Sequence, residues 1–487
     1  MPVACEVRPL TAVAVEPLRP DRLDTRTRAL LVGPVLPALL RLAWPNILVM
    51  AAQSSTGLIE MWFVARLGSD ALAGMALVLP VLVLMQSMSQ GAVGGGISSA
   101  IARALGSGRR DKADDFVIHA LVVNVAIGLI FSVVMLPAGR LLYRALGGSD
   151  GALVAAMTYS NIIFGGVVIL LWLFNALGSI IRGTGNMFVP GVVFCGGAVL
   201  LIPLSPALIF GWGPFPRLGI AGGGIALFIY YGIGTVILGW YVASGRNLAS
   251  FRMTRIRWEL VKEILSVGAV AAVNTIQINF TIAVTMGFMA AYAGPDAVAG
   301  FGIGTRLEYL MPPISFGLGA PLVALVGTNI GANQSARALR IALVGGAVGF
   351  VVTETIGATA AIWPNAWLTL FTHDPHIIAI GSRYLRTVGP FYGFFGLGIS
   401  MYFASQGAGR LGWPLMGGLV RMIVAVGGGW IVLHATRSTL LLLVVYASGM
   451  LLYGLIIASS VAAGTWFGSE GSKMLRRAAR PQVCADF

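Results

Sequence analysis

The sequence predicts an all-α membrane protein whose twelve transmembrane helices form two pseudo-symmetric six-helix lobes. Three observations lead to this prediction. Of the 487 residues, 57% are hydrophobic and only 10% are charged, whereas soluble domains carry roughly 25% charged residues. Twelve apolar stretches reach the length of about 20 residues that a membrane crossing requires. Motifs of the first half return in the second half at a nearly constant distance.

The twelve apolar stretches follow one another with short connections. They lie near residues 44–66, 71–102, 116–138, 152–181, 188–212, 219–243, 264–292, 297–330, 340–370, 378–406, 413–436 and 439–466. Several are longer than one crossing needs, so we expect tilted or bent helices. Proline removes a helical hydrogen bond and can bend a helix. The candidate bends are Pro45, Pro80, Pro203, Pro312 and Pro313.

The basic residues predict the orientation of the chain in the membrane. Segments on the side of the N-terminus hold 23 Lys and Arg residues, and segments on the other side hold five. Cytoplasmic segments carry the positive excess, so both termini are predicted to be cytoplasmic, in a bacterial inner (plasma) membrane. The net charge of +14 is therefore interpreted as a topology signal, and no nucleic-acid partner is expected.

Three sequence matches relate the two halves. Residues 68–74 (GSDALAG) return at 294–300 (GPDAVAG) with an offset of 226, residues 105–108 (LGSG) return loosely at 330–333 (IGAN) with an offset of 225, and residues 182–185 (RGTG) return at 406–409 (QGAG) with an offset of 224. A distance of 224–226 residues spans six membrane crossings. Because six is even, both halves enter the membrane from the same side. We therefore expect parallel repeats about an axis along the membrane normal.

The repeat divides the chain into five predicted parts. These are a cytoplasmic N-terminal segment with an interfacial helix (1–43), an N-lobe of spans one to six (44–243), a basic cytoplasmic linker (244–263), a C-lobe of spans seven to twelve (264–466) and a basic cytoplasmic tail (467–487).

Three carboxylates lie well inside spans, namely Glu60, Glu308 and Glu354. An ionisable group at membrane depth costs at least ~2.5 kcal/mol and is a functional candidate by default. Glu354 has no matching polar stripe, and we interpret it as a structural or snorkelling residue. Glu308 follows Arg306 by two residues, so the two cannot face each other on a helix and each needs another partner. A functional carboxylate and a structural ion pair both remain open for Glu308.

Glu60 lies on a polar stripe with Asn46, Gln53 and Thr56, within an arc of about 80° at 3.6 residues per turn. A polar stripe on an apolar span must face protein or a wet cavity. The functional interpretation is that Glu60 binds a proton or a cation. The alternative is that it reaches interfacial water near the outer mouth or pairs with Arg66.

Span seven, the repeat partner of span one, has a neutral polar stripe of Asn274, Gln277, Thr281 and Thr285. This face could hydrogen-bond to a substrate or to neighbouring helices, and both remain open. A soft apolar lining for organic cations is a further possibility, with ordinary core or lipid contact as the alternative. The candidates are Met61, Trp62, Met88, Met286 and Tyr230.

Other signals exclude some function classes. The chain has no pairing of a nucleophile with a base, so an enzyme is not expected. The sequence His373-Asp374-Pro375-His376 is typical of a turn, so no metal site is assigned there. We expect no bound cofactor, since an ion gradient would supply the energy.

Six stretches of the sequence, taken in order, resemble the multidrug and toxic compound extrusion (MATE) family, and its DinF-like branch more than its NorM-type branch. They are LRLAWPNILVMAAQSSTGLIEMWFVARLGSDALAG, ISSAIARALGSGRRDKA, IRGTGNMFVP, LSPALIFGWGPFPRLGIAGGGIA, DAVAGFGIGTRLEYLMPPISFGLGAPLVALVGTNIGA and SQGAGRLGWP. The resemblance covers nearly all of residues 38–466. It implies two six-helix lobes around a central cleft and antiport of a substrate against protons or sodium.

The resemblance also implies a role for Glu60. Many family members read VDTxFVGRLG in span one, where this chain reads IEMWFVARLG, so Glu60 occupies the position of the functional Asp. In span five, Ser205 replaces a family Asp and Leu201 a family Asn, and the C-lobe acids of the sodium site have no counterpart. We therefore expect coupling to protons through Glu60, with sodium as the alternative.

The resulting expectation is an exporter of amphipathic or cationic small molecules such as drugs and toxic metabolites. It would act as a monomer in contact with membrane lipid. The alternative is a lipid-linked saccharide flippase of the same superfamily. Such a flippase should line its cavity with several cations, and Arg306, Arg383, Arg386 and Arg421 are the arginines available in or at the ends of spans.

Overall fold

The computed structural model of the chain describes residues 24–308 and 311–466. The predicted tail 467–487 and most of the segment 1–43 lie outside the described residues. The helices of the first half are α1 (Thr25–Val32), α2 (Val35–Ala65), α3 (Ser69–Ser87), α4 (Gly94–Gly106), α5 (Arg110–Ala145), α6 (Asp150–Ile162), α7 (Val168–Gly183), α8 (Phe188–Phe210) and α9 (Ile220–Ala243).

The described part of the second half also consists of helices and their short connections. Its helices are α10 (Trp258–Glu308), α11 (Met311–Gly331), α12 (Ser335–Ile362), α13 (Pro364–Leu368), α14 (Pro375–Val388), α15 (Tyr392–Ala408), α16 (Gly412–Met422), α17 (Gly429–Thr436) and α18 (Thr439–Ala462). A helix in lipid satisfies all its backbone polar groups within one segment. This architecture confirms the predicted fold class.

Ten stretches of the described chain are long and apolar enough to cross a membrane. One of them, Trp258–Gly331, has 74 residues, about 111 Å at 1.5 Å per residue. This is far more than one crossing needs, and α10 breaks at Gly294, where φ is 78°. Helices α14 and α15, separated by a 3₁₀ turn at Gly389–Phe391, supply a further crossing. The total of twelve agrees with the prediction.

The irregular positions differ from those predicted from proline. Pro45, Pro80 and Pro203 lie inside α2, α3 and α8, while Pro312 and Pro313 lie in the first turn of α11, where a helix tolerates proline. Three spans instead change to π-helix within the membrane. These segments are Met88–Val93, Ile163–Val167 and Ile423–Gly428. No proline lies in them, which explains why sequence reasoning missed them.

The backbone confirms the internal repeat. All three matched motifs contain a residue with positive φ at the equivalent position, namely Gly68 (117°) and Gly294 (78°), Gly108 (72°) and Asn333 (58°), and Gly185 (79°) and Gly409 (71°). A fourth pair, Gly211 (76°) and Arg437 (54°), shows the same relation without any sequence match. Positive φ disfavours most side chains, so the motifs recur because the same turns recur.

Two separate hydrophobic cores form, one for each lobe. The first is built from residues 49–264 and includes Trp172 and Phe174. The second is built mainly from residues 267–466. Leu30 of α1 and Leu39 of α2 pack into the second core, so α1 and the first turns of α2 lie against the C-lobe before α2 enters the N-lobe. The predicted bounds of the lobes remain predictions.

The lobes close against each other at one end of the bundle, which we call the basic end. It is formed by residues 24–34, 106–110, 183–187, 244–257, 331–335 and 408–411. Here α4 packs on α11. A Cβ on Gly106 would lie 2.0 Å from the Thr328 carbonyl oxygen, and a Cβ on Gly331 would lie 2.1 Å from the Arg103 carbonyl oxygen. These two approaches are related by the repeat, and only glycine permits them.

Candidate functional site

Glu60 lies in the interior of the N-lobe. Helix α2 turns its side chain towards α6 and α9, and only 5% of the residue is exposed. The Tyr159 hydroxyl donates a hydrogen bond to Glu60 Oε1 at 3.2 Å. Gly223 of α9 faces the same oxygen, and a Cβ at that position would lie 3.0 Å from it. The carboxyl group therefore sits where spans one, four and six meet.

A small cavity of about 10 Å³ adjoins the carboxyl group. Its walls are Thr56, Ile59, Glu60, Leu201, Ile202 and Ser205. Ser205 is buried, and its hydroxyl has no hydrogen-bond partner in the described chain. A cavity needs roughly 10–15 Å³ to hold one water molecule. The space beside Glu60 is therefore at the lower limit for a single water-sized species.

Glu60 forms no ion pair with a residue that the structure describes. The Arg66 guanidinium lies over the ring of Trp62 at 3.7 Å, so Arg66 does not pair with Glu60 as the alternative interpretation held. The burial of Glu60 also argues against contact with interfacial water. An unpaired charge in an apolar interior is costly, so the group must be neutralised by a proton or by a bound cation.

Of the other members of the polar stripe, Thr56 lines the cavity beside Glu60, whereas Asn46 lies elsewhere. Asn46 donates to the carbonyl oxygens of Phe316 at 2.9 Å and Gly317 at 3.4 Å, which places it at the seam between α2 and α11. Fourteen residues separate it from Glu60, about 21 Å along a helix. Thr56 donates to the carbonyl oxygen of Gln53 at 2.9 Å. The stripe faces protein and small cavities, and its residues serve different contacts along the helix.

The C-lobe buries its own carboxylate, Glu308, beside a cation and two tyrosine hydroxyls. Glu308 Oε1 accepts from Arg421 Nη2 at 3.2 Å, and each residue is 2% exposed. The Tyr446 hydroxyl lies 2.8 Å from Oε2, and the Tyr384 hydroxyl lies 3.1 Å from it. Arg306 instead lies over the ring of Phe371 at 5.2 Å. The expectation that Arg306 and Glu308 need separate partners is confirmed.

Glu354 also has a local partner. Its Oε2 accepts from the backbone N–H of Gly393 at 2.7 Å, which joins α12 to α15. This contact agrees with the structural interpretation.

The neutral stripe of span seven faces the interior of the C-lobe. Asn274 and Gln277 are buried beside Gly418 of α16, and both polar atoms of the Gln277 side chain lack a partner in the described chain. Thr281 and Thr285 donate to carbonyl oxygens of their own helix at 2.8 Å. The stripe therefore lies apart from Glu60, in the other lobe.

The five apolar candidates do not form one lining. Tyr230 packs in the N-lobe core, with its ring 5.6 Å from that of Phe174, and Met88 packs against the same core. Met286 packs against the C-lobe core. Trp62 is 52% exposed and Met61 is half-buried. Tyr230, Met88 and Met286 thus make the ordinary core contacts of the alternative interpretation, and a soft lining for organic cations stays a prediction.

The residues around the two carboxylates were missed by sequence reasoning or given another role. Tyr159 and Tyr446 lie on apolar spans without any distinguishing pattern, and Arg421 was considered only as a cation for a flippase. A list of the charged residues within the spans could have identified Arg421, because a buried carboxylate needs a buried cation as its partner. No sequence signal points to Tyr159.

Asp374 takes the role expected of a turn residue. Its carboxylate caps α14 and accepts from the backbone N–H of His376 at 2.8 Å. The residues that the structure describes contain no group of three His, Cys, Asp or Glu residues that could hold a metal ion.

Hydrogen bonds between the lobes cluster towards the basic end. Ser99 donates to the carbonyl oxygen of Gln406 at 2.7 Å, and Gln406 Nε2 donates to that of Gly91 at 3.1 Å. Arg103 bonds to the carbonyl oxygen of Gly407 at 3.2 Å and to Glu263 at 3.1 Å. The lobes are thus sealed on this side of the bundle.

Comparison with known proteins agrees with this architecture. The family model MatE matches the chain twice, at residues 45–207 and again at 269–431. Among curated relatives, the FAD transporter of Shewanella oneidensis is 28% identical over 383 residues, which covers 77% of this chain and 82% of the relative. A probable multidrug resistance protein NorM of Deinococcus radiodurans is 28% identical over 434 residues, 81% of this chain and 87% of the relative.

Solved structures share the fold. A MATE crystal structure in the bent conformation superposes with a TM-score of 0.84 at 22% identity, over 94% of this chain and 100% of that chain. An outward-facing multidrug resistance MATE transporter of the MOP superfamily gives a TM-score of 0.80, also at 22% identity, over 94% of this chain and 99% of that chain.

Proposed function

Because this chain belongs to the MatE family of multidrug and toxic compound extrusion transporters, which are not enzymes, we propose that it is a secondary active efflux transporter. It exports amphipathic or cationic small molecules by antiport against protons, and Glu60 is the coupling carboxylate. The observation that carries this proposal is the isolation of Glu60, a buried carboxyl group with one neutral hydrogen-bond donor and no described cation.

The comparison with Glu308 supports the choice of Glu60. Glu308 has a permanent cation and two tyrosine hydroxyls, so its charge is compensated without any ligand. Glu60 has no such compensation. We therefore expect a proton or cation to bind to Glu60 and dissociate from it during the transport cycle. Such reversible binding is what coupling requires.

The surroundings of Glu60 favour a proton over sodium. A hard metal cation takes several oxygen ligands. Beside Glu60 the described side-chain hydroxyls are those of Tyr159, Thr56 and Ser205, and Thr56 already donates within its own helix. The adjoining volume of about 10 Å³ leaves little room for a cation with its ligands, whereas a proton needs none.

The proposed cycle uses the two-lobe arrangement. From the seal at the basic end we infer that the cleft between the lobes faces the opposite side, which we assign to the outside of a bacterial inner membrane. Protons from outside neutralise Glu60 and release a cationic substrate, and the N-lobe can then close. Opening of the seal exposes the site to the cytoplasm, where loss of the proton restores the anionic site. Both termini are assigned to the cytoplasm, and the monomer is the proposed working unit.

The experiment is efflux from everted membrane vesicles with one gradient at a time. We expect a pH gradient alone to drive export of organic cations and a sodium gradient alone to have no effect. Export that follows sodium and ignores pH would overturn proton coupling. A panel without any transported cation would overturn the substrate class.

A second candidate substrate is an anionic aromatic compound of the FAD type. The relative from Shewanella oneidensis supports it, and so does one arginine at the interface between the lobes. Arg182 is 4% exposed, has Ser179 as its hydrogen-bond partner and lies over the ring of Phe194. It lines a cavity of about 20 Å³ between the lobes. FAD in the same panel decides between the two classes.

The flippase alternative is less well supported. Arg421 is held by Glu308 and Arg306 by the ring of Phe371. Two of the four arginines that could bind an anionic lipid carrier are therefore already engaged.

A further inference from the structure

A groove opens at the basic end beside the first helix of the described chain. It lies between α1, the first turns of α2 and residues 185–188, and it encloses about 680 Å³. It is distinct from the surroundings of Glu60 and from the contact between α4 and α11.

Two unpaired cations line the groove. Arg26 extends from α1 and Arg41 from α2, and neither guanidinium forms a hydrogen bond or an ion pair with a described residue. Asp24 is the nearby acid. Its carboxylate caps α1 by accepting from the backbone N–H of Arg26 at 2.9 Å. The groove therefore offers two free guanidinium groups, the preferred donors for phosphate oxygens.

Part of the groove lining is apolar, and exposed apolar side chains continue from it along the bundle. Trp44 and Phe188 line it and are 52% and 60% exposed. Further exposed apolar side chains follow on α2 and α8, namely Leu48, Val192 and Val199. Tryptophan is enriched where a protein meets the headgroup region of a bilayer. The cationic rim and the apolar face together match an amphipathic anion with long hydrocarbon chains.

The groove has firm walls because α1 is tied to the C-lobe. Asn329 donates to the carbonyl oxygen of Leu30 at 3.2 Å, and Arg337 donates to that of Gly33. Across the groove, residues 185–188 belong to the N-lobe. A ligand in the groove would thus touch an element held by the C-lobe and an element of the N-lobe.

We propose that this groove binds one anionic phospholipid. The phosphate lies between Arg26 and Arg41, and the acyl chains run along Trp44 and Phe188. Free phosphate would use the two arginines and leave the apolar wall uncovered, whereas a lipid uses both. Because the bound lipid spans elements of both lobes in the sealed arrangement, it stabilises the conformation that is closed at the basic end.

The test is lipid binding to the purified full chain in detergent, measured by native mass spectrometry. We expect phosphatidylglycerol to be retained at least about tenfold more tightly than phosphatidylcholine, which is the factor that ~1.4 kcal/mol represents. The double variant Arg26→Gln/Arg41→Gln should remove this preference. The matched control Arg252→Gln/Arg255→Gln removes two exposed arginines of the same end and should keep it.

Two further measurements make the proposal falsifiable. Phosphatidylglycerol should raise the thermal unfolding temperature of the unsubstituted chain, and Trp44→Ala should reduce that shift. Inorganic phosphate at the same concentration should leave the temperature unchanged. An equal loss in the control double variant, equal retention of phosphatidylcholine, or an equal shift with inorganic phosphate would each overturn the lipid site. None of these results depends on efflux, so the proposed transport function is tested separately.

Discussion

The hydroxyl of Tyr159 lies 3.2 Å from Oε1 of Glu60. In the other lobe, Nη2 of Arg421 lies 3.2 Å from Oε1 of Glu308. The two lobes share a fold and differ in how each neutralises a buried carboxylate. The C-lobe supplies the guanidinium of Arg421, while the N-lobe supplies the neutral hydroxyl of Tyr159 and no cation from a described residue. This difference supports the proposal that coupling takes place in the N-lobe, and it leads to the predictions below.

Replacement of Glu60 by glutamine should abolish coupled efflux. The amide would keep the shape of the side chain but could neither release nor take up a proton. We expect efflux in a pH gradient to fall at least about tenfold, or ~1.4 kcal/mol in apparent barrier, and Glu60→Asp to retain part of it. Glu354→Gln is the control, because that carboxylate is bound to a backbone N–H. Normal efflux by Glu60→Gln would remove Glu60 from the mechanism.

Removal of the Tyr159 hydroxyl should slow transport without unfolding the N-lobe. A hydrogen bond to a charged group contributes about 1.5–3 kcal/mol, so Tyr159→Phe should change the efflux rate by roughly tenfold or more. Tyr143→Phe removes a comparable buried hydroxyl, bonded to Ser160 at 2.8 Å, and should leave efflux close to that of the unsubstituted chain. Equal effects of the two variants would contradict a specific role for Tyr159.

A methyl group at Gly223 should disturb Glu60 directly. The added Cβ would lie 3.0 Å from Glu60 Oε1, closer than ordinary van der Waals contact. We expect Gly223→Ala to impair efflux. On the same helix, Gly232→Ala would bring its Cβ 3.7 Å from Leu170, an ordinary contact, and should be tolerated. Initial efflux rates of the two variants, corrected for the amount of protein in the membrane, provide the measurement.

The buried pair in the C-lobe should control stability. Removal of one partner of a buried ion pair costs about 3–5 kcal/mol because the other charge stays unpaired. Arg421→Met should therefore lower the thermal unfolding temperature in detergent, and the added change Glu308→Gln should restore part of the loss. A double variant that is as unstable as the sum of the single variants would show that the two residues do not stabilise each other.

A disulfide across the seam should arrest the transporter. A Cβ on Gly327 would lie 2.9 Å from Cβ of Ala102, near the separation of about 3.5–4.5 Å in disulfides. In a chain without Cys5, Cys195 and Cys484, oxidation of Ala102→Cys/Gly327→Cys should stop efflux, and a reductant should restore it. Each single variant should be insensitive to oxidant. Full activity of the oxidised double variant, with the bond shown by mass spectrometry, would mean that the lobes do not separate here.

The sequence by itself determined the class of the fold and its repeat. Apolar length sets the number of crossings, because lipid does not tolerate unsatisfied backbone. The motifs at Gly68 and Gly294 mark equivalent turns, because both positions need positive φ. The sequence also singled out Glu60 and Glu308, since a carboxylate at membrane depth is conspicuous among apolar residues.

Only the tertiary structure decided what each carboxylate contacts. Tyr159 and Arg421 reach their partners across 99 and 113 residues, and no local pattern encodes such distances. For the same reason the sequence could not show that residues of one polar stripe on α2 have different partners. Asn46 contacts α11, while Glu60 contacts α6. Periodicity shows which side of a helix is polar, but the packing of neighbouring helices determines which group lies opposite each position. The isolation of Glu60 and the pairing of Glu308 are therefore properties of helix packing.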